Sequence, residues 1–119
     1  MQGSGSSWVA TTGMPPWVAR VRALLEEEFA RPLRLGEIAG AVGLHPVYVS
    51  RKFREVTGAG LATTLRRVRV ARALARVAAG DPIAQVALSC GFADQSHLTK
   101  AVRRVTGRTP GGWRREEWK

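Results

Sequence analysis

The sequence has one cysteine, Cys90, and two histidines. A single thiol excludes an internal disulfide framework and suits a reducing cytoplasm. It also leaves too few soft ligands for a structural zinc site. Aromatic residues are only 7% of the chain, and the four Trp fall in the N-terminal arm or at predicted packing positions. Little is therefore left to stack on unpaired bases, which argues against a non-specific nucleic-acid or RNA-binding module. No uncharged apolar run approaches the roughly 18 residues that suggest a membrane span. No basic-then-apolar leader opens the chain either, since the first charge is Arg20. Carboxylate pairs, Ser/His/Asp sets, Cys–His pairs and phosphate-cradling loops are missing. An enzyme is not expected, and no cofactor or metal is called for.

Acid is scarce as well. Nine Asp/Glu oppose nineteen Lys/Arg, a formal charge of +10 over 119 residues. Such a surplus suits a polyanion, whose condensed counterions are released as Lys and Arg neutralise phosphates. The distribution is uneven: residues 57–79 hold five Arg and no acid, and residues 96–115 hold six Lys/Arg and no acid. Glu26, Glu27 and Glu28 gather on the first predicted helix, so one face should be strongly positive and another close to neutral. The basic helix over 62–79 suits an anionic membrane surface in charge. Its apolar residues, however, surround much of its circumference, as in a helix packed at both ends.

The chain reads as all-α, with about seven helices. Residues 1–13 are rich in Gly, Ser and Thr, a flexible arm or the remnant of a linker. Pro15 and Pro16 open a helix whose apolar stripe is Trp17, Val21, Leu24, Leu25 and Phe29, with Pro32 as its stop. A short helix over 35–42 closes at Gly43, and His45–Pro46 opens a third that stops at Thr57–Gly58. The long helix over 62–79 ends at Gly80–Asp81–Pro82. It is about 27 Å long at 1.5 Å per residue. Helices over 83–89 and 95–106 follow, and Thr109–Pro110 begins a short terminal one carrying Trp113. This divides the chain into an arm (1–13), a first helix-turn-helix subdomain (14–60), a linker helix (61–80) and a second subdomain (81–119).

An internal repeat organises these helices. Ile38–Gly43 aligns with Val86–Gly91 at an offset of 48, and Arg51–Gly58 with Lys100–Gly107 at an offset of 49. Ala39 and Ala87 are small where helices cross closely, and Gly43 and Gly91 permit the positive φ of a sharp turn. Val49, Phe53 and Val56 form one core stripe, and Leu98, Val102 and Val105 its counterpart. The opposite faces carry Val47, Ser50, Arg51 and Arg54 in the first copy, and Gln95 or Ser96, Thr99, Lys100 and Arg103 in the second. Arg can grip guanine, Gln can grip adenine, and Val can pack on a thymine methyl, so such faces suit a DNA major groove. Within the linker, Leu65, Val68, Leu74 and Val77 should dock on the two units. Arg66, Arg67 and Arg76 should face solvent or phosphate, while Arg69 sits among apolar neighbours with no partner evident from sequence. Cys90 reads as a packed small side chain.

From about Pro16 to Arg115 the chain resembles the DNA-binding domain of AraC/XylS-type transcriptional regulators. The likeness is strongest over Ile83–Arg114, IAQVALSCGFADQSHLTKAVRRVTGRTPGGWR, in its GF, S, G-x-TP and WR framework. EIAGAVGLHPVYVSRKFREVTG resembles the family's first helix-turn-helix and RVRVARAL its connecting helix. The resemblance implies base reading by Val47, Ser50, Arg51, Gln95, Ser96, Thr99 and Lys100. Arg54, His97 and Arg103 are then expected at phosphates. It also implies an asymmetric double-stranded DNA site of about two turns, RNA polymerase as a partner in activation, and action at the bacterial nucleoid. A monomer on DNA is expected, because two readers already share one chain. Val102 stands where the family usually has Phe, and Gly36 and Gly40 lower the helix propensity of 35–42. A stand-alone regulator and the DNA-binding piece of a longer, effector-responsive one both fit.

Overall fold

The computed structural model describes residues 14–108, so the expected arm over 1–13 and the terminal helix with Trp113 lie outside the described residues. Six helices, and no strand, make up the described part: α1 (Pro16–Glu27), α2 (Leu35–Val42), α3 (Pro46–Thr57), α4 (Leu61–Ala78), α5 (Ile83–Ser89) and α6 (Gln95–Thr106). None of them is long and apolar enough to cross a membrane.

Pro15 is extended and Pro16 takes the first position of α1, where its missing N–H costs nothing. Val18, Val21 and Leu25 form the buried stripe, with Trp17 and Leu24 half-buried beside it. The helix ends at Glu27, earlier than the expected stop at Pro32. Phe29 thus leaves the helix, and its side chain packs on the core of the other half of the molecule. The carbonyls of Phe29 and Arg31 accept hydrogen bonds from Arg69, which holds this connection out of helix.

At their glycine ends the two turns close with the same pair of backbone hydrogen bonds. At the end of α2, Gly43 has φ 69°, and the N–H groups of Gly43 and Leu44 return to the carbonyls of Gly40 and Ala39. At the end of α5, Gly91 has φ 91°, and Gly91 and Phe92 return to Leu88 and Ala87. Ala39 and Ala87 are buried at these crossings, 1% and 0% exposed. The far ends of α3 and α6 are also closed alike. Thr57 Oγ1 donates to the Phe53 carbonyl at 2.8 Å and Thr106 Oγ1 to the Val102 carbonyl at 2.8 Å. Each hydroxyl also receives the N–H of the residue two places on, Ala59 or Arg108. Such Thr–backbone bonds satisfy groups that a helix terminus leaves open.

Apolar burial is split between two clusters. Val18, Val21, Leu25, Ile38, Ala39, Val49 and Phe53 form the first, with Leu61 and Leu65 of α4 against it. The second gathers Val70, Ala73 and Val77 of α4 with Val86, Ala87, Cys90, Phe92, Leu98, Ala101 and Val102. Leu65, Leu74 and Val77 therefore dock as expected, whereas Val68 is half-buried and joins neither cluster. The stripe of α6 also differs from expectation. Ala101 is buried and Val105 is 41% exposed, because the α6 face that meets α4 and α5 runs through Leu98, Ala101 and Val102. Cys90 is buried, and that burial pushes its thiol above the ordinary range. No polar or charged residue is buried among the described residues.

Candidate nucleic-acid interface

A helix reads outward only if its own start is fixed, and α3 and α6 are fixed by different means. The Nδ1 of His45 accepts the Val47 N–H at 3.1 Å, and Pro46 occupies the first helical position. At α6, the Asp94 carboxylate accepts the His97 N–H at 2.8 Å. The Nδ1 of His97 in return accepts the Ala93 N–H at 3.2 Å, and its ring stands edge-on to Phe92 at 5.4 Å. Asp94 was not singled out from sequence, although an Asp just before a helical stripe is an N-cap signal.

With their starts pinned and their apolar stripes buried, both helices turn the expected residues to solvent. Val47 is 62% exposed although apolar, and the Arg51 side chain is 66% exposed. Ser50, Arg54, Gln95, Ser96, His97, Lys100 and Arg103 are exposed, while Thr99 is half-buried. Since Nδ1 of His97 is an acceptor, its proton sits on Nε2, which is suited to donate to an anionic oxygen.

Electrostatics sharpen this face. Glu28 and Glu37 are both taken up by Arg31, and Asp81 by Arg76 at 2.9 Å. The hydrogen bond from Arg31 holds the Glu37 carboxyl below its usual range, and Glu37 and then Glu28 raise the pKa of Arg31. Arg76 also donates to Ser89 Oγ at 2.6 Å. It therefore ties α4 to α5 while its side chain stays 42% exposed, in keeping with the expected solvent-facing position. Arg54, Lys100 and Arg103 have no carboxylate within ion-pair distance among the described residues, so their charge is uncompensated. One acid does lie among the outward residues: Glu55 pairs with Arg51 at 3.7 Å and Lys52 at 3.8 Å. The spacing of four residues from Arg51 made that pair readable in the sequence. An exposed pair of this kind is worth little and gives way readily to a stronger anion.

Between α3 and the start of α4 lies an open cleft lined by Ser50, Arg54, Gly60, Leu61 and Arg67. It extends the basic surface from the first outward helix onto α4. The molecule measures 43 × 31 × 21 Å. That long axis exceeds the roughly 34 Å between successive major-groove entries on one side of a duplex. Among the described residues no group of three or more His, Cys, Asp or Glu is placed to hold a metal ion.

Residues 38–116 match the model of a helix-turn-helix domain family. The chain is 31% identical over 102 residues to the HTH-type transcriptional regulator GlxA of Rhizobium meliloti, covering 84% of this chain and 31% of that protein. It is 29% identical over 111 residues to a putative AraC-like transcription regulator of Streptomyces antibioticus, covering 92% of this chain and 36% of the relative. The chain thus spans about a third of the length of these relatives. Among solved structures, it resembles the C-terminal domain of the response regulator AraT from Geobacillus stearothermophilus, with a TM-score of 0.81, 25% identity and 88% of each chain covered. The DNA-binding domain of the global transcriptional factor AdpA, solved with a target DNA, superposes with a TM-score of 0.76 at 26% identity, over 83% of this chain and 90% of that one.

Proposed function

Because this chain belongs to the AraC-type helix-turn-helix family, we propose that it is a sequence-specific double-stranded DNA-binding module that regulates transcription. Its outward helices α3 and α6 enter successive major grooves on one side of a single asymmetric site. Val47, Ser50 and Arg51 read bases from the first groove, and Gln95, Ser96, Thr99 and Lys100 from the second. Arg54, His97 and Arg103 hold phosphates. Arg51 contributes most where it leaves Glu55 for a guanine edge, a bidentate contact worth about 1–3 kcal/mol of discrimination.

The observation that carries this reading is the pair of exposed, polar and cationic helix starts, matched in register and mounted on one 43 Å body. The neighbour solved in complex with a target DNA supports binding to double-stranded DNA. RNA polymerase is the partner expected of an activator, and one copy per site suffices, since both readers share a chain. Action at the bacterial nucleoid belongs to the same reading.

Selection of bound duplexes from a random pool tests this directly. The expected outcome is an asymmetric motif with two informative blocks about one helical turn apart, and the enriched duplex should outcompete random DNA by about 10³-fold or more. Enrichment confined to one block, or equal competition by random DNA, overturns the reading.

A further inference from the structure

Three stretches of chain that belong to different parts of the fold meet at Arg69. Its Nε donates to the carbonyl of Phe29 at 2.6 Å and its Nη2 to that of Arg31 at 2.9 Å, both in the α1–α2 connection. On the other side lies the turn of the second unit: a methyl group placed on Gly91 would sit 2.8 Å from Arg69 Nε and 2.9 Å from the Phe29 oxygen. Arg72, one turn further along α4, covers the Phe29 ring at 4.9 Å and donates to the Glu26 carbonyl at 3.4 Å. The Phe29 ring itself packs on the second core. The end of α1, the middle of α4 and the α5–α6 turn are thereby tied at one point.

The chemistry of this joint is specific. Arg69 is half-buried, and no carboxylate pairs with it among the described residues. Its partners are two neutral carbonyls 40 and 38 residues away in sequence. A planar fork of N–H donors fits two carbonyls at a fixed angle, where a flexible ammonium does not. Arg69 itself is part of neither apolar cluster. What the joint adds is the angle and distance between the units.

Resting on the two-groove reading above, we propose that Arg69 is a positioning residue for DNA specificity: its clamp on Phe29 and Arg31, closed against Gly91, fixes the spacing between the two recognition helices and so the spacing between half-sites that the chain accepts. It touches no base itself. A rigid joint penalises an altered spacer because one inserted base pair turns the second half-site by about 35° and shifts it by about 3.4 Å, beyond the reach of side chains placed for the original register.

The test compares three duplexes: the one enriched from the random pool, the same with one base pair inserted between its two blocks, and one carrying the α3 block alone. For the parent chain the insertion is expected to cost on the order of 100-fold in affinity, since several base contacts are lost together. For Arg69→Met, affinity for the single block is expected to stay at the parent value while the insertion costs under about tenfold. Arg69→Lys, which keeps the charge but loses the fork, is expected to fall between them, and it decides the matter if the Met variant does not fold. A folded Met variant, or failing that a folded Lys variant, that discriminates spacers as sharply as the parent overturns the proposal and leaves the two-groove reading intact. A parent that itself tolerates the insertion overturns both.

Discussion

The first and second helix-turn-helix units share a backbone plan and differ in what surrounds it. Both cross at a buried alanine, turn on a positive-φ glycine, and close their outward helix with a Thr hydroxyl bonded to the carbonyl four residues back. Yet the Gly43 turn opens onto empty space, whereas the Gly91 turn is pressed against Arg69 and the Phe29 carbonyl. The first core is anchored by Phe53 from within its outward helix. In the second the corresponding position is Val102, and Phe92 from the turn and Phe29 from the α1–α2 connection supply aromatic bulk instead. One unit is thus self-contained, and the other is built partly from its neighbour's chain. A duplicated motif can keep its hydrogen bonds and still diverge wherever one copy must dock on the other.

The sharpest way to break this contrast is to empty the aromatic anchor. Phe53→Ala should destabilise the chain by about 3–5 kcal/mol, against about 2 kcal/mol for Val102→Ala, where two methyl groups are lost and the flanking phenylalanines remain. Equal shifts of the urea midpoint would show that the cores are not differently built. Next comes the turn glycine. Gly43→Ala should cost about 1–2 kcal/mol, from left-handed strain alone. Gly91→Ala should cost about 3 kcal/mol or more, because the new Cβ also meets a backbone carbonyl that cannot swing aside.

On DNA the units should behave alike, each losing discrimination at its own block. Arg51→Ala and Lys100→Ala are expected to lower specific affinity by about 1–3 kcal/mol and relax preference at one base pair. Arg54→Ala and Arg103→Ala should instead weaken all duplexes alike and reduce the slope of log affinity against log salt by about 1. Identical behaviour of the two pairs would sink the division into base readers and phosphate holders. Smaller again is the cap: His45→Ala and Asp94→Ala should each cost about 1 kcal/mol in thermal melts.

The smallest effect concerns acid. Glu37 is held below the ordinary carboxylate range by Arg31, so its stabilisation is complete above about pH 4.3 and fades as pH falls through its lowered folded value. Both side chains are exposed, so the loss is small and shrinks with salt. Glu37→Gln should flatten the stability profile below that pH, and an unchanged profile would remove the Arg31 clamp from the account.

The repeat made much of the architecture legible. Once Ile38–Gly43 is set on Val86–Gly91, the turns, the crossing alanines and the outward faces follow from helical periodicity, and those faces are solvent-exposed apart from half-buried Thr99. The misses share a cause. Pro32 predicts a stop for α1, but the chain leaves helix at Glu27 and Arg69 takes up the carbonyls of the connection. Arg76 faces solvent as expected, but its bond to Ser89 at 2.6 Å depends on where α5 packs. Val105 continued an i, i+4, i+7 stripe that the packing of α6 abandons for Ala101.

Taken alone, the sequence determined the helices, the duplicated turns and which side of α3 and α6 faces outward. Periodicity, glycine stereochemistry and capping act between residues a few positions apart, and these effects are written locally. Tertiary structure alone decided where Phe29 packs, what Arg69 grips and how the second turn seats against the linker. The Arg69 contacts join residues 40 and 38 positions apart, and both partners of the guanidinium are backbone carbonyls. Every residue has such a carbonyl, so no side-chain pattern can announce which one will be used.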